Sequence, residues 1–281
     1  MSYTEIIKKL DKNEPYLDHK NAVLSAPIRH LFMIGTVEYL SRKTNKKSIK
    51  ILEIGSWFGA STLTWGQAIS LYYSKDSSIT CVDAWEPYFD MKVHKGNSYA
   101  KEMESLLESD FAYNIFLHNA GTLKDRMTIQ HFRGKTKDVL CHLKDSYYDL
   151  VFIDADHTYN PVKEDIKEAI RLVNDDGIIC GDDLNLQMHE ISQDFALKNK
   201  HKDFIKDPLT GKNFHPGVTV AIKEFFTEVS SWGGFWGMQK KENNWLKYSL
   251  KDMSIIYPNH FTSDHTEKAK SHYNDIKNSL F

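Results

Sequence analysis

Apolar runs alternate with helical patterns along the first two thirds of the chain. Short runs rich in β-branched residues predict strands, and longer stretches with helical spacing separate them. The predicted strands cover residues 48–54, 79–83, 127–132, 150–153 and 177–181. Because strand and helix alternate five times, the pattern predicts an α/β fold, namely a doubly wound, mostly parallel sheet with right-handed crossovers.

The alternation stops after the fifth predicted strand. Residues 184–215 are polar and irregular, which indicates a lid over the sheet edge. A helix is predicted over 217–230. Two further strands, 234–239 and 244–250, are typical of an antiparallel pair at the sheet edge and bring the total to seven.

Two segments flank this α/β domain, which spans residues 49–250. Residues 1–48 predict N-terminal helices that cover the sheet, with Pro27 at an early helical position. Residues 251–281 form a polar tail with a predicted helix from His265 to Leu280. The apolar face of the N-terminal helix also indicates a homodimer.

Composition narrows the class of protein. The chain has 281 residues, 41% of them hydrophobic, which is enough for one large core. A net charge of −2 argues against a nucleic-acid partner, and no apolar stretch approaches the ~18 residues of a membrane span. No apolar leader is visible, and two of the three cysteines lie inside predicted strands. We therefore expect a cytoplasmic protein.

Acidic residues follow the fourth and fifth predicted strands. The fourth ends at Asp154-Ala-Asp156-His157 and the fifth at Asp182-Asp183. Because ligands of open α/β sheets bind at the carboxyl ends of the strands, this pattern indicates a metal site. The alternative is that Asp182 or Asp183 only caps the turn that follows.

The first strand ends in a glycine pair that predicts a ligand-binding turn. Gly55 and Gly59 allow a tight turn into a helix whose N-terminus offers free N–H groups. The middle glycine of a dinucleotide fingerprint is absent. Asp83, at the end of the second strand, is placed to accept hydrogen bonds from a ribose, and Glu53 suits a ligand ammonium. The alternative is a structural turn without a ligand.

Four motifs in this order resemble those of class I S-adenosylmethionine-dependent methyltransferases. Glu53-x-Gly55-x-x-x-Gly59 with Asp83 is similar to their cofactor motif, and 133–138 resembles the adenine-side loop of the catechol and caffeoyl-CoA O-methyltransferases. The ends of the fourth and fifth strands resemble the metal-binding strand ends of that group. The stretch 149–183 is also similar to macrocin O-methyltransferase relatives from antibiotic and surface-sugar pathways. The resemblance covers residues 48–184 and implies a Rossmann-like methyltransferase fold.

The resemblance implies a role for each matching position. S-adenosylmethionine would bind at the carboxyl ends of the first two strands and the loop after the third. The implied cofactor residues are Glu53, Gly55, Ser56, Phe58, Gly59, Ser61, Asp83, Ala84, Gly134, Lys135, Thr136, Asp154 and Asp156. A divalent cation, Mg²⁺ first, would be held by Asp154, Asp182 and Asp183.

The catalytic residues implied by the resemblance are His157 and Asp154. His157 stands where the catechol-type pattern has a lysine, and Asp183 stands where it has an asparagine. An imidazole can take a hydroxyl proton near neutral pH, whereas the alternative is a histidine that only orders the loop. His215, before Pro216-Gly217, is a second histidine that would reach the substrate.

The predicted function is therefore metal-dependent O-methylation of a small hydroxylated metabolite, such as a sugar or natural product. A nicotinamide-dependent oxidoreductase is the first alternative, and the absent middle glycine argues against it. A metal-dependent hydrolase would need the carboxylates but not the glycine turn or Asp83. A non-catalytic binding protein would leave a costly cluster of acids without a cation.

Overall fold

The computed structural model of the chain describes residues 12–88 and 96–279. Within these residues, α-helices span Arg29–Lys43 (α1), Ala60–Tyr72 (α2), Ser98–Glu108 (α3), Phe111–Gly121 (α4), Thr136–Val139 (α5), Tyr159–Leu172 (α6), Gln193–Asn199 (α7), Pro216–Phe226 (α8) and Ser263–Ile276 (α9). Strands span Lys50–Ile54 (β1), Ser78–Asp83 (β2), Thr128–Arg133 (β3), Tyr148–Ile153 (β4), Val173–Gly181 (β5), Ile205–Lys206 (β6), Asn213–Phe214 (β7), Ser230–Trp232 (β8), Phe235–Lys241 (β9) and Asn244–Leu246 (β10).

The central sheet confirms the predicted doubly wound topology. Its strand order is β10-β9-β5-β4-β1-β2-β3, with β1 to β5 parallel and β9 antiparallel to β5. Ile51 of β1 pairs with Ile79 of β2 and with Leu150 of β4, which fixes the register at the centre. The sheet has eight strands instead of seven, because the short β8 also pairs with β9.

Both faces of the sheet are buried, as crossovers on two sides require. Phe152 and Cys180 pack in one apolar cluster with α1 and α2, whereas their neighbours Val151 and Ile179 pack in a second cluster with α6 and α8. This alternation follows the two-residue period of a strand. It explains why the central strands read as continuous apolar runs.

The predicted N-terminal cover is helical only from Arg29 to Lys43 within the described residues. Residues 12–28 have no regular helix, and residues 1–11 lie outside the described part. Pro27 lies in a turn just before α1 instead of inside it. The irregular segment is held by the Asn119 side chain, which bonds both the N–H and the carbonyl of Tyr16. Side-chain hydrogen bonds thus replace the helical ones that were predicted.

The segment that was predicted to form a lid, residues 184–215, has more regular secondary structure than the sequence indicated. Residues 184–215 contain α7 and the antiparallel pair β6–β7, and they carry a small apolar cluster around Leu186, Met188 and Phe214. That cluster packs on Val220 of α8. The prediction of an irregular segment was wrong, because its few apolar residues are distant in sequence and meet only after folding.

The C-terminal tail packs on the first two helices. Glu38 of α1 accepts hydrogen bonds from the backbone and hydroxyl of Ser254 at 2.7 and 2.8 Å. The side chain of Gln67 in α2 bonds the carbonyl of Tyr257 and the N–H of Asn259. Among the residues described, no helix is both long and apolar enough to cross a bilayer.

Candidate active site

The turn after β1 is shaped by two glycines in the left-handed region. Gly55 has φ +87° and Gly59 has φ +84°. A Cβ atom added to Gly55 would lie 1.9 Å from the carbonyl oxygen of Asp154, so only glycine allows this contact. The glycine turn therefore lies directly against the end of β4.

Asp83 anchors the same turn. Its Oδ2 accepts hydrogen bonds from the N–H groups of Ser56 and Trp57, both at 2.9 Å, and its Oδ1 accepts one from Trp85 at 2.8 Å. The backbone of Trp57 and Trp85 is left-handed, with φ of +48° and +44°. The aspartate predicted to bind a ribose thus orders the turn, and Oδ1 keeps an acceptor lone pair.

Glu53 is fully buried beneath the turn. Its Oε2 accepts hydrogen bonds from Ser56 at 2.6 Å and from Thr62, while Oε1 is buried without a hydrogen-bond partner among the described residues. Burial raises the pKa of this carboxyl, and the hydroxyl hydrogen bonds only partly oppose the shift. An unpaired buried oxygen beside a glycine turn suits a bound ammonium group, which is the ligand chemistry expected for S-adenosylmethionine.

The remaining predicted cofactor residues differ in accessibility. Gly134 donates to the carbonyl of Asp83 at 2.9 Å, so the loop 134–136 lies beside the end of β2. Ser61, Ala84 and Thr136 are partly exposed, and Lys135 is exposed. The Phe58 side chain is fully buried and stacks on Trp57, so it cannot line an open pocket.

Two further carboxylates lie near that loop. Asp156 is exposed, and its Oδ1 accepts hydrogen bonds from both the N–H and the hydroxyl of Thr158, so it orders the turn before α6. Asp165 is buried in α6, and this burial raises its pKa to about 7 against an opposing hydrogen bond from Thr136. Asp165 could not be singled out from the sequence, because it occupies an ordinary polar position of an amphipathic helix.

Asp154 begins the cluster of acids at the other strand ends. Its backbone N–H bonds the carbonyl of Ile54, and its carboxylate has no hydrogen-bond or ion-pair partner among the described residues. Burial raises its pKa well above the usual range, and the charges of Asp182 and Asp183 raise it further. Asp154 thus places its backbone carbonyl against the glycine turn and has a carboxyl group without a partner among the described residues.

Arg29 of α1 neutralises the acids at the end of β5. Its Nη1 lies 2.6 Å from Oδ1 of Asp182 and 2.8 Å from Oδ1 of Asp183, and its Nε donates to the carbonyl of Gly233 at 3.0 Å. All three charged side chains are largely buried. Burial raises the pKa of Asp182 to about 6 against the opposing charge of Arg29. No local pattern connects Arg29 with these aspartates, so sequence reasoning missed it.

Two histidines face Asp183 from the opposite side. Nε2 of His157 lies 2.9 Å from Oδ2 of Asp183, and Nε2 of His215 lies 3.7 Å from Oδ1. Asp203 of the lid contacts Nδ1 of both rings with the same oxygen, at 2.8 and 3.1 Å. Burial lowers the pKa of His157, but hydrogen bonds to Asp183 and Asp203 outweigh it and hold the pKa well above 6.5.

The donor groups at this edge suit a divalent cation. Ligand atoms of His157, Asp183 and His215 lie within 4.8 Å of one another, and the free Asp154 carboxylate is adjacent. Asp182, by contrast, already has Arg29 as its counter-ion. The three predicted ligands Asp154, Asp182 and Asp183 thus lie at the same edge, but Asp182 is less available to a metal ion because Arg29 neutralises it.

A polar cavity opens on the far side of Arg29. It has a volume of about 500 Å³ and lies between the start of α1, the start of the lid and α9. Its lining includes Arg29, Asn185, Gln187, Ser231 and His272. The wall combines two amides and a hydroxyl with the charged groups of Arg29 and Glu190 and two imidazoles, which suits a ligand rich in hydrogen-bonding groups.

Comparisons with known proteins identify the class of domain. Residues 52–184 match a family model described as a methyltransferase domain. No curated protein matches the chain. Among solved structures, the O-methyltransferase NovP shares 13% identity over 76% of this chain and 80% of its own, with a TM-score of 0.51.

Two further solved structures have lower TM-scores. Cofactor-bound Rv0187 from MTB is 18% identical over 86% of this chain and 89% of its own, with a TM-score of 0.44. CalS11, a TDP-rhamnose 3'-O-methyltransferase of calicheamicin biosynthesis, is 12% identical over 85% and 86%, with a TM-score of 0.39. The chain therefore carries a methyltransferase domain over residues 52–184 and is an S-adenosylmethionine-dependent methyltransferase.

Proposed function

We propose that the protein transfers the methyl group of S-adenosylmethionine to a hydroxyl oxygen of a small metabolite, with a divalent cation at the ends of β4 and β5. The observation that carries this proposal is the contact between Gly55 and Asp154. It brings the cofactor turn and an uncommitted carboxylate to one edge. The similarity to NovP, named an O-methyltransferase, favours oxygen as the acceptor atom.

The turn after β1 holds the cofactor in this proposal. The left-handed Gly55 and Gly59 let the backbone approach the ligand closely, and the buried Oε1 of Glu53 receives its ammonium group. Asp83 keeps the turn rigid through three backbone hydrogen bonds and offers Oδ1 to the ribose. The bound cofactor supplies an electrophilic methyl group on a sulfonium ion.

The carboxylate of Asp154 accepts the proton of the acceptor hydroxyl. As the new C–O bond forms, the C–S bond breaks in line, its electron pair remains on sulfur, and the proton passes to Asp154. Both ring nitrogens of His157 are engaged by Asp183 and Asp203, so Asp154 is the better proton acceptor. A divalent cation held at this edge would supply Lewis acidity that makes a nearby hydroxyl easier to deprotonate.

The cavity beside Arg29 receives the rest of the acceptor. Its polar wall of amide, hydroxyl, imidazole and charged groups favours a polyhydroxylated molecule, such as a sugar or a glycosylated natural product. Because Arg29 lines the cavity and also contacts Asp182 and Asp183, an acceptor held there would extend past the end of β5 to reach the methyl group.

Calorimetry with S-adenosylhomocysteine tests the cofactor part of the proposal. We expect one site per chain, and weaker binding for Glu53→Gln than for the exposed control Asp125→Asn. No binding heat at millimolar ligand would overturn the assignment.

Transfer from methyl-labelled cofactor to a panel of hydroxylated acceptors, with the product examined by NMR, tests the acceptor atom. A label found on nitrogen, sulfur or carbon contradicts O-methylation.

A further inference from the structure

We propose that His157, Asp183 and His215 bind a divalent transition-metal ion, so that the cation site is built from two imidazoles and one carboxylate. Their ligand atoms lie within 4.8 Å of one another. This inference refines the cation of the proposed function, although its geometric basis is independent of methyl transfer. It differs from the all-aspartate magnesium site that the sequence predicted.

Asp203 arranges the two rings for metal binding. One of its oxygens lies 2.8 Å from Nδ1 of His157 and 3.1 Å from Nδ1 of His215, so both rings can donate to it. Both Nε2 atoms then face Asp183. A carboxylate that accepts the second ring N–H is the usual outer partner of a metal-bound histidine, because it fixes the tautomer and the ring orientation.

Arg29 keeps Asp182 out of this ligand set. Its guanidinium lies 2.6 Å from Oδ1 of Asp182, in a pair that is almost completely buried. A cation bound to the same oxygen would either displace the buried Arg29 or be repelled by its positive charge. Oδ2 of Asp183 faces His157 instead of Arg29, so it is the oxygen that can bind a cation.

The donor atoms determine the class of metal. Imidazole nitrogens suit Zn²⁺, Fe²⁺, Co²⁺ and Ni²⁺, whereas Mg²⁺ prefers carboxylate and water oxygens. Two imidazoles and one carboxylate leave coordination positions open. Asp154 has no hydrogen-bond or ion-pair partner among the described residues, and it is close enough for the charges of Asp183 and His157 to act on it.

The three ligands come from separate elements, so the ion would connect them. His157 follows β4, Asp183 follows β5, and His215 precedes α8 at the end of the lid. Binding should therefore stabilise the lid against the sheet as well as the protein as a whole. A ligand present at 100 times its Kd raises the free energy of unfolding by about 2.7 kcal/mol.

Metal titration of the EDTA-treated full-length protein tests the inference. We expect Co²⁺ to give visible d–d absorption at one equivalent, and Mg²⁺ to bind at least ~100-fold more weakly by calorimetry. His157→Gln and His215→Gln should each lower Co²⁺ affinity by ~100-fold, whereas the exposed control His142→Gln should not. Near-ultraviolet circular dichroism and melting temperature show whether each variant is folded.

Asp182→Asn separates the two ligand sets. If the histidine set is correct, this variant keeps its Co²⁺ spectrum, because Asp182 is not a ligand. Retained Mg²⁺ binding in the double histidine variant, combined with its loss in Asp182→Asn, would overturn the inference in favour of the aspartate set. Absence of any cation binding would also overturn it.

The same measurements distinguish this inference from the proposed function. Binding of S-adenosylhomocysteine and methyl transfer by a protein that shows no histidine-dependent Co²⁺ spectrum would sustain the methyltransferase activity and reject the metal site. A histidine-dependent Co²⁺ spectrum in a protein that transfers methyl to an atom other than oxygen would support the metal site and reject O-methylation.

Discussion

Arg29 shows how a single distant side chain changes the interpretation of a local motif. In the sequence, Asp182 and Asp183 indicated a metal site because neighbouring carboxylates repel each other without a cation. The structure supplies that cation from α1, 154 residues away from Asp183. No periodicity or spacing connects positions so far apart, so this contact could not be predicted.

Removal of Arg29 should be strongly destabilising. Arg29→Met leaves the buried Asp182 and Asp183 without their shared counter-ion, which we expect to cost about 3–5 kcal/mol in the free energy of unfolding. Urea unfolding at neutral pH measures the loss. In the Arg29→Met variant, the second substitution Asp182→Asn should restore part of the lost free energy of unfolding, because it removes one of the two unpaired buried carboxylates. A loss below ~1 kcal/mol would contradict the charge-balancing role.

Asp154→Asn should separate stability from activity. The pKa of Asp154 is raised in the folded protein, so its charged form opposes folding at neutral pH, and a neutral amide removes that penalty. We expect the melting temperature to rise by about 2–4 °C for a gain of about 1 kcal/mol. Methyl transfer should fall by ~10²–10⁴-fold, because the proton acceptor is lost.

S-adenosylhomocysteine affinity should change little in Asp154→Asn, and Asp125→Asn serves as the matched control at an exposed site. Full activity in Asp154→Asn would assign proton removal to another group.

At the scale of elements, the lid contributes two residues to the site, His215 and Asp203. The segment 184–215 folds around its own small apolar cluster and presents Asp203 to both His157 and His215. Asp203→Asn should weaken Co²⁺ binding by ~10–100-fold while leaving the lid helix intact. The exposed lid residue Asp194 gives a matched control, Asp194→Asn. Unchanged affinity in Asp203→Asn would mean that the lid does not orient the rings.

The C-terminal tail docks on the first two helices through a group of neutral histidines. Nδ1 of His30 lies 2.6 Å from the hydroxyl of Thr64, which also lies 3.3 Å from Nε2 of His260. Burial lowers the pKa of His30 well below 6.5 and that of His260 to about 3. Arg29 and the neighbouring His265 further disfavour a charge on His30.

Stability should therefore fall as the solution becomes acidic. The pKa values of these histidines are lower in the folded protein than in the unfolded chain, so below pH 6.5 the unfolded state binds more protons. The stabilisation present above pH 6.5 is lost toward pH 3, by up to about 1.4 kcal/mol per pH unit for each extra proton. Urea unfolding between pH 7.5 and 4.5 should show a shallower slope for His260→Gln than for His142→Gln. Equal slopes would contradict this role.

At the scale of the molecule, acids end four neighbouring strands at one edge of the sheet. The sequence predicted this arrangement correctly, because each strand end is visible locally and parallel topology brings carboxyl ends together. The role of each acidic side chain depends on contacts that form only on folding. Asp83 orders the turn, Asp182 pairs with Arg29, and Asp154 remains free.

That edge should distinguish the charged cofactor from its neutral product. S-adenosylmethionine carries a sulfonium charge and S-adenosylhomocysteine does not, so the free carboxylate of Asp154 beside Gly55 should favour the former. A divalent cation next to Asp154 offsets that attraction. We expect the preference for S-adenosylmethionine, measured as a ratio of Kd values by calorimetry, to be greater in EDTA than with saturating Co²⁺. The difference should shrink in Asp154→Asn and at high salt, because it is electrostatic. A ratio independent of metal would show that the cation and the sulfonium are too far apart to interact.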